Sequence, residues 1–258
     1  MKNKKFLIIP VIISVILVFS LAGCDDSGNS PTETTSGSNP NIEFKTGSVF
    51  YYGTDSLSQN GAVHQTKWRT KDSVMAQTTY QGKDCYPINS VTVDTSTYPG
   101  PPIPIQSSTL YVSYDNQSGI FYQWGIKKLF DPNQTETWDK VADFSQALGT
   151  SVSLFTITNL FNQPILSADV SSTVKYDTTF TTTGSQVGVN CYKVAVVADV
   201  KASTLSIGKV YLDYYIGYTP SSNTSNPSGR VRVKLYPINL STFFTADGVD
   251  QKLNRFTY

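Results

Sequence analysis

The sequence predicts a mainly β, antiparallel fold, and three observations carry that prediction. Short runs rich in aromatic and β-branched residues recur along nearly all of residues 42–258, separated by Gly, Pro, Asn, Asp and Ser. The composition agrees: 16 Tyr, 13 Phe, 17 Gly and 13 Pro with only 15% charged residues suit strands and turns better than helices. Arg230, Arg232 and Lys234 alternate with Val231, Val233 and Leu235, the period of a strand with one wet and one buried face. Short connections between the runs make antiparallel pairing the default. Sheets of this size close as a sandwich or as a curved half-barrel.

In chain order, residues 48–52 form a strand ending at Gly53, and a polar strand containing His64 follows a turn at Asn60-Gly61. Residues 99–104, Pro-Gly-Pro-Pro-Ile-Pro, make a stiff extended connector. Residues 109–114 form a strand, Asp115 to Gly119 a hairpin turn, and Ile120 to Trp124 its partner strand. Residues 137–148 read equally as a helix stopped by Gly149 and as a strand with Trp138, Ala142 and Phe144 on one face. Residues 192–200, 209–218 and 230–236 complete the strands, and 221–229 is a polar loop expected to tolerate cleavage. Adjacent pairs such as Tyr51-Tyr52 and Tyr214-Tyr215 must face opposite sides, so one member of each lies off the core unless a second layer covers it.

Two segments suggest internal duplication. Gly82-Lys83-Asp84-Cys85-Tyr86 resembles Gly188-Val189-Asn190-Cys191-Tyr192, each after a Thr/Tyr/Phe-rich run and before a tyrosine-rich one, with the cysteines 106 residues apart. Two related β-meanders, near 42–135 and 136–258, are one reading; coincidence in a chain crowded with Tyr, Thr and Val is the other. The Gly-x-x-Cys-Tyr-x-Val pattern also resembles stretches of uncharacterised β-rich lipoproteins of bacterial envelopes.

The N-terminus has a different character. Lys2, Lys4 and Lys5 precede an apolar run from Phe6 to Ala22, about 17 residues, at the lower limit for a bilayer span. The run ends in Leu21-Ala22-Gly23-Cys24, which resembles the lipobox of bacterial lipoproteins. That resemblance implies a signal peptide over 1–23, a diacylglycerol on the Cys24 thiol, and a mature chain starting there. Residues 24–41 hold no large apolar side chain after Cys24 apart from the last few positions' approach to Ile42, and so form a flexible tether to a globular part at 42–258. Acyl chains, each contributing about 0.8 kcal/mol per buried CH₂, replace a membrane span. Asp25 and Asp26 resemble sorting signals that differ between bacterial groups. The expected location is the cell envelope, the outer membrane ahead of the inner, with the face left open.

Few residue types remain for chemistry. Net charge is +1 for the whole chain and near −2 once the three signal lysines are gone, so no nucleic-acid partner is expected. One His, no Gly-rich phosphate loop, no Gly-x-Ser-x-Gly elbow and no clustered ligands leave no cofactor and no metal to expect. Cys85 and Cys191 are either a disulfide, whose long loop would stabilise by ~4 to 5 kcal/mol, or two buried thiols. Tyr111, Tyr114, Tyr122, Trp124, Tyr211 and Tyr214 are the candidate ligand-contacting aromatics, able to pack on sugar faces or acyl chains, with plain core packing as the alternative.

The functional expectation is therefore a membrane-anchored, non-catalytic binding or structural module, meeting the membrane through its lipid and a glycan, lipid or envelope protein through its β-domain. A lipid or lipoprotein carrier with an apolar cavity is the first alternative. A glycan-acting enzyme with paired carboxylates, among Asp84, Asp94, Asp115 and Asp213, is the second.

Overall fold

The computed structural model describes residues 39–97, 100–127, 134–160, 163–220, 225–240 and 244–257. The expected signal peptide, Cys24 and most of the expected tether lie outside them. Fifteen strands carry most of the described chain: β1 (Val49–Leu57), β2 (Val63–Val74), β3 (Thr78–Tyr80), β4 (Lys83–Asp94), β5 (Ile103–Asp115), β6 (Ile120–Trp124), β7 (Trp138–Asp143), β8 (Ser151–Thr158), β9 (Leu166–Thr181), β10 (Gly188–Ala202), β11 (Leu205–Gly217), β12 (Gly229–Leu235), β13 (Ile238–Leu240), β14 (Phe244–Ala246) and β15 (Gly248–Thr257). Every paired neighbour is antiparallel.

One 13-stranded sheet runs in the order β7-β6-β5-β4-β2-β1-β15-β12-β11-β10-β9-β8, with β3 paired to β4, and β13 and β14 make a separate hairpin. Successive hairpins explain this order, since each short turn lays the next strand beside the last. The exception is β15, which returns to fill the lane between β1 and β12. The sheet curls until β7 lies beside β8 and β9, and Gly149 N, left-handed at φ 84°, donates to Val174 O at 2.8 Å. The result is a curved, nearly closed half-barrel rather than a sandwich. Its order holds two consecutive runs of six lanes, with Cys85 on β4 and Cys191 on β10 in the fourth lane of each.

The concave face is packed. Phe50 and Tyr52 of β1, Phe121 of β6, Val170 of β9, Val194 and Val196 of β10, Leu212 and Tyr214 of β11 and Leu253 of β15 are all buried there. Each large apolar side chain so enclosed contributes about 1.5 to 3 kcal/mol. One end is closed by the chain's own entry segment. Ile42 and Phe44 are buried in it, the Phe44 ring lying 5.4 Å from Tyr86 and 6.2 Å from Phe121. Residues 39–41, assigned to the tether from sequence, are already held: Asn39 Nδ2 donates to Asn116 O and Gln117 O, Tyr114 Oη to Pro40 O, and Thr219 N to Asn41 O.

Two one-residue irregularities correct the sequence reading. Residues 138–143 form a strand, not a helix, because Trp138 pairs with Trp124. A register shift around Val141 then turns Ala142 inward opposite Phe121 while Trp138 stays outside, so these two do not share a face. In β12, Tyr215 opposes Arg232 but Ile216 opposes Arg230, so the extra residue Val231 sends the two arginines to opposite faces. Neither face is wet: both arginine side chains are nearly enclosed, at 11% and 8% exposure. The reason is a second layer, the turn joining β9 to β10, which folds across the outside and sets Phe180 against Arg232 at 5.7 Å. The same layer buries Tyr215 while the core buries Tyr214. A further irregularity, at Asn254 of β15, receives that turn. The expected polar loop at 221–229 is also pinned in its described part, where Asn226 is buried and bonds both Asn190 N and Asn190 O.

Candidate binding surface on the outer face

The six aromatic candidates separate according to strand parity. Tyr111 of β5 and Trp124 of β6 lie in neighbouring register on the convex face, where Trp138 of β7 continues the row and Tyr80 of β3 lies over it. Tyr80 and Tyr111 stack with ring centroids 3.9 Å apart and planes within 6°. Tyr80 meets Trp124 edge-on at 5.4 Å, and Trp124 meets Trp138 at 5.7 Å. Trp138 Nε1 donates to Tyr80 O at 3.1 Å, locking strand β3 to β7 across the surface. Such contacts contribute about 0.5 to 1.5 kcal/mol each beyond burial and fix the rings in place. All four rings are only half-buried. Trp124 Nε1 has no acceptor among the described residues.

Tyr122 shares this face, with the Lys83 ammonium 4.0 Å above its ring. Below Lys83, Asp115 caps the β5–β6 turn, its carboxylate taking the Ser118 hydroxyl at 2.7 Å and the amides of Gln117 and Ser118. Those bonds, with the Lys83 charge adding last, hold Asp115 below the usual carboxylate range.

The other three aromatics go elsewhere. Tyr114 faces inward at the closed end, bonded to Pro40 O and edge-on to Phe144 at 6.0 Å; burial pushes its hydroxyl well up. Tyr214 is a core residue whose hydroxyl is pushed up to about 12 by burial. Tyr211 is half exposed on β11, apart from the cluster. Tyr80, Trp138 and Lys83 join the surface without having been singled out. A three-residue strand and a pairing across two hairpins leave no local signal for this.

The remaining candidates have separate surroundings. Cys85 and Cys191 are both buried and free, with no disulfide between them. Cys85 Sγ donates to Thr78 O at 3.5 Å, and burial pushes the Cys191 thiol up to about 12. His64 is exposed on β2, and no group of three or more metal-ligating side chains occurs among the described residues. The four carboxylates have their own local partners: Asp84 takes the Thr79 hydroxyl, Asp94 the Ser96 amide, Asp115 its own turn, and Asp213 both Lys193 at 3.0 Å and the Tyr236 hydroxyl at 2.8 Å.

No family model matches the chain, and no curated protein does. Two solved structures are similar to it. One is a presumed lipoprotein from Parabacteroides distasonis, 14% identical, covering 86% of this chain and 100% of its own, with a TM-score of 0.48. The other is a presumed exported protein with a YmcC-like fold from Bacteroides fragilis, 14% identical, covering 85% of this chain and 100% of its own, with a TM-score of 0.47.

Proposed function

We propose that this protein is a lipid-anchored lipoprotein of a bacterial cell envelope that binds a glycan on the convex face of its half-barrel, without catalysing a reaction. The anchor rests on the order of basic start, apolar run, small residues and Cys24. The observation that carries the binding role is the fixed, half-buried row of Tyr80, Tyr111, Trp124 and Trp138 outside a packed interior. An aromatic face left open by these stacked and edge-on contacts suits the apolar face of a sugar ring, and rings already locked by one another lose little freedom on binding. A carrier role needs an open apolar interior, whereas Ile42, Phe44, Phe121 and Tyr214 occupy that space here. The outer membrane is the favoured location, with Asp25 and Asp26 after Cys24 as the residues that bear on sorting.

Affinity electrophoresis of the full-length protein in detergent through gels containing neutral polysaccharides tests the binding role. Trp138→Ala is expected to abolish retardation that the wild type shows, through a loss of about tenfold or more in affinity. Equal retardation of both would remove the aromatic row from the account. Fractionation of Cys24→Ser tests the anchor: the variant leaves the membrane pellet if the thiol carries the lipid.

A further inference from the structure

The second layer that buries Arg232 also builds a cleft. The turn between β9 and β10 reaches β15 where Asn254 is the extra residue, and the carbonyls freed there take three amides: Thr183 N to Leu253 O at 3.1 Å, and Gly184 N and Ser185 N to Asn254 O at 3.1 and 3.2 Å. Glycine at position 184 lets the Asn254 side chain lie against the turn, where a Cβ would push that side chain aside. Between this turn and the outer face of β1 and β2 lies a cleft of about 520 Å³.

Two arginines line it, and each is held from behind. Arg69 Nη1 donates to Trp68 O at 2.7 Å and Thr66 O at 3.3 Å, and Arg255 lies 4.4 Å over the Tyr51 ring. In register beside Tyr51 is Lys71, a third exposed cation. None of the residues lining the cleft is acidic. On the same face, Asp55 is committed to Lys252 at 3.1 Å. Gly53 sits between Lys252 and Arg69 in the pairing, its φ is ordinary, and a Cβ there would meet nothing within 4 Å. Gly53 lies where β1 changes register against β2, a bulge position at which a strand glycine is common.

We infer that this cleft binds the acid group of an anionic glycan, a carboxylate or sulfate gripped between Arg69 and Arg255. Guanidinium groups match such anions with paired hydrogen bonds, and pre-oriented ones lose least on binding. Two guanidinium groups flanking one cleft grip a single acid group, unlike the dispersed lysines that suit an anionic bilayer. The inference rests on the glycan-binding reading and extends it. Tyr51 and Tyr111 share the convex face, three strand spacings and four residues apart, about 20 Å from ~4.8 Å per strand and ~3.3 Å per residue. A chain of about four sugars spans that length.

The test is calorimetric titration of the full-length protein in detergent micelles with tetragalacturonate and with its methyl ester, which has the same backbone without the charge. Tetragalacturonate is expected to bind at least tenfold more tightly, with the advantage shrinking as salt rises. The double variant R69Q/R255Q should abolish that advantage and leave the methyl ester unaffected. Equal affinity for the two saccharides, or a charge preference that survives R69Q/R255Q, overturns this inference while leaving the aromatic row standing. Failure of both saccharides to bind overturns both readings. Binding of phosphatidylglycerol vesicles, but of neither saccharide, that is lost in R69Q/R255Q would make the cleft a membrane contact and overturn the inference as well.

Discussion

Arg230 and Arg232 are two residues apart on one strand, yet one is enclosed in the barrel and the other under the outer layer. Inside, Arg230 Nη2 pairs with Asp72 at 2.5 Å, stands 4.8 Å over the Tyr52 ring, and accepts the Tyr52 hydroxyl at its carbonyl. Burial works against its charge, but Asp72 and the two tyrosines Tyr52 and Tyr214 hold the guanidinium firmly protonated. Outside, Arg232 pairs with Asp250 at 3.2 Å, but Asp250 also has Lys252 at 2.8 Å, which reaches Asp55 in turn. The inner pair depends on one partner; the outer one belongs to a network. The same residue type at the same depth therefore carries different risk.

The largest expected effect follows from the inner pair. Arg230→Met leaves the Asp72 carboxylate buried without its cation and should cost about 3 to 5 kcal/mol in urea unfolding. Adding Asp72→Leu should recover most of that loss; no recovery would mean that the pair is not isolated. Arg232→Met should cost less, about 1 to 3 kcal/mol, because Lys252 still neutralises Asp250. A cost equal to that of Arg230→Met would break the comparison.

How far the sequence reached can be judged at these positions. Alternation correctly marked 230–235 as a strand, and the aromatic runs and the 115–119 turn found β5 and β6. Parity failed where one extra residue entered a strand whose faces had been read, at Val141 and Val231, because a bulge reverses every later side chain and no residue type announces it. The second layer was equally hidden. The Tyr214-Tyr215 pair implied a cover for one of them, but which segment supplies it depends on the three amides of the β9–β10 turn meeting β15, contacts some 70 residues apart in sequence. Tyr111 and Trp124 were legible as candidates. Their union with Tyr80 and Trp138 was not, since it depends on the pairing of β3 to β4 and β7 to β6.

Two smaller effects sharpen the contrast. Thr54 Oγ1 is buried without a hydrogen-bond partner among the described residues. Thr54→Val, of the same shape, should gain about 1 kcal/mol in thermal or urea unfolding. A loss would reveal a partner for the hydroxyl. For the outer network, burial lowers the Lys252 pKa, but the hydrogen bonds and charges of Asp250 and Asp55 outweigh it and leave the group above its ordinary value. A raised pKa means that this stabilisation is full below the unfolded lysine value, about 10.4, and fades as pH rises through the higher folded one. The wild type should therefore lose stability more steeply above that pH than Lys252→Met does, read as melting temperature against pH; parallel curves would dissociate Lys252 from the network.

The claim that the convex face, not the interior, meets the ligand is tested most directly by indole emission of the full-length protein in micelles during titration with xylo-, cello- and galacto-oligosaccharides and, separately, with palmitate. Saturable movement of the emission by a saccharide, absent in the W124F/W138F variant and not produced by palmitate, is the predicted result. Emission unmoved by every saccharide but shifted by palmitate would contradict it and open the interior as the binding site.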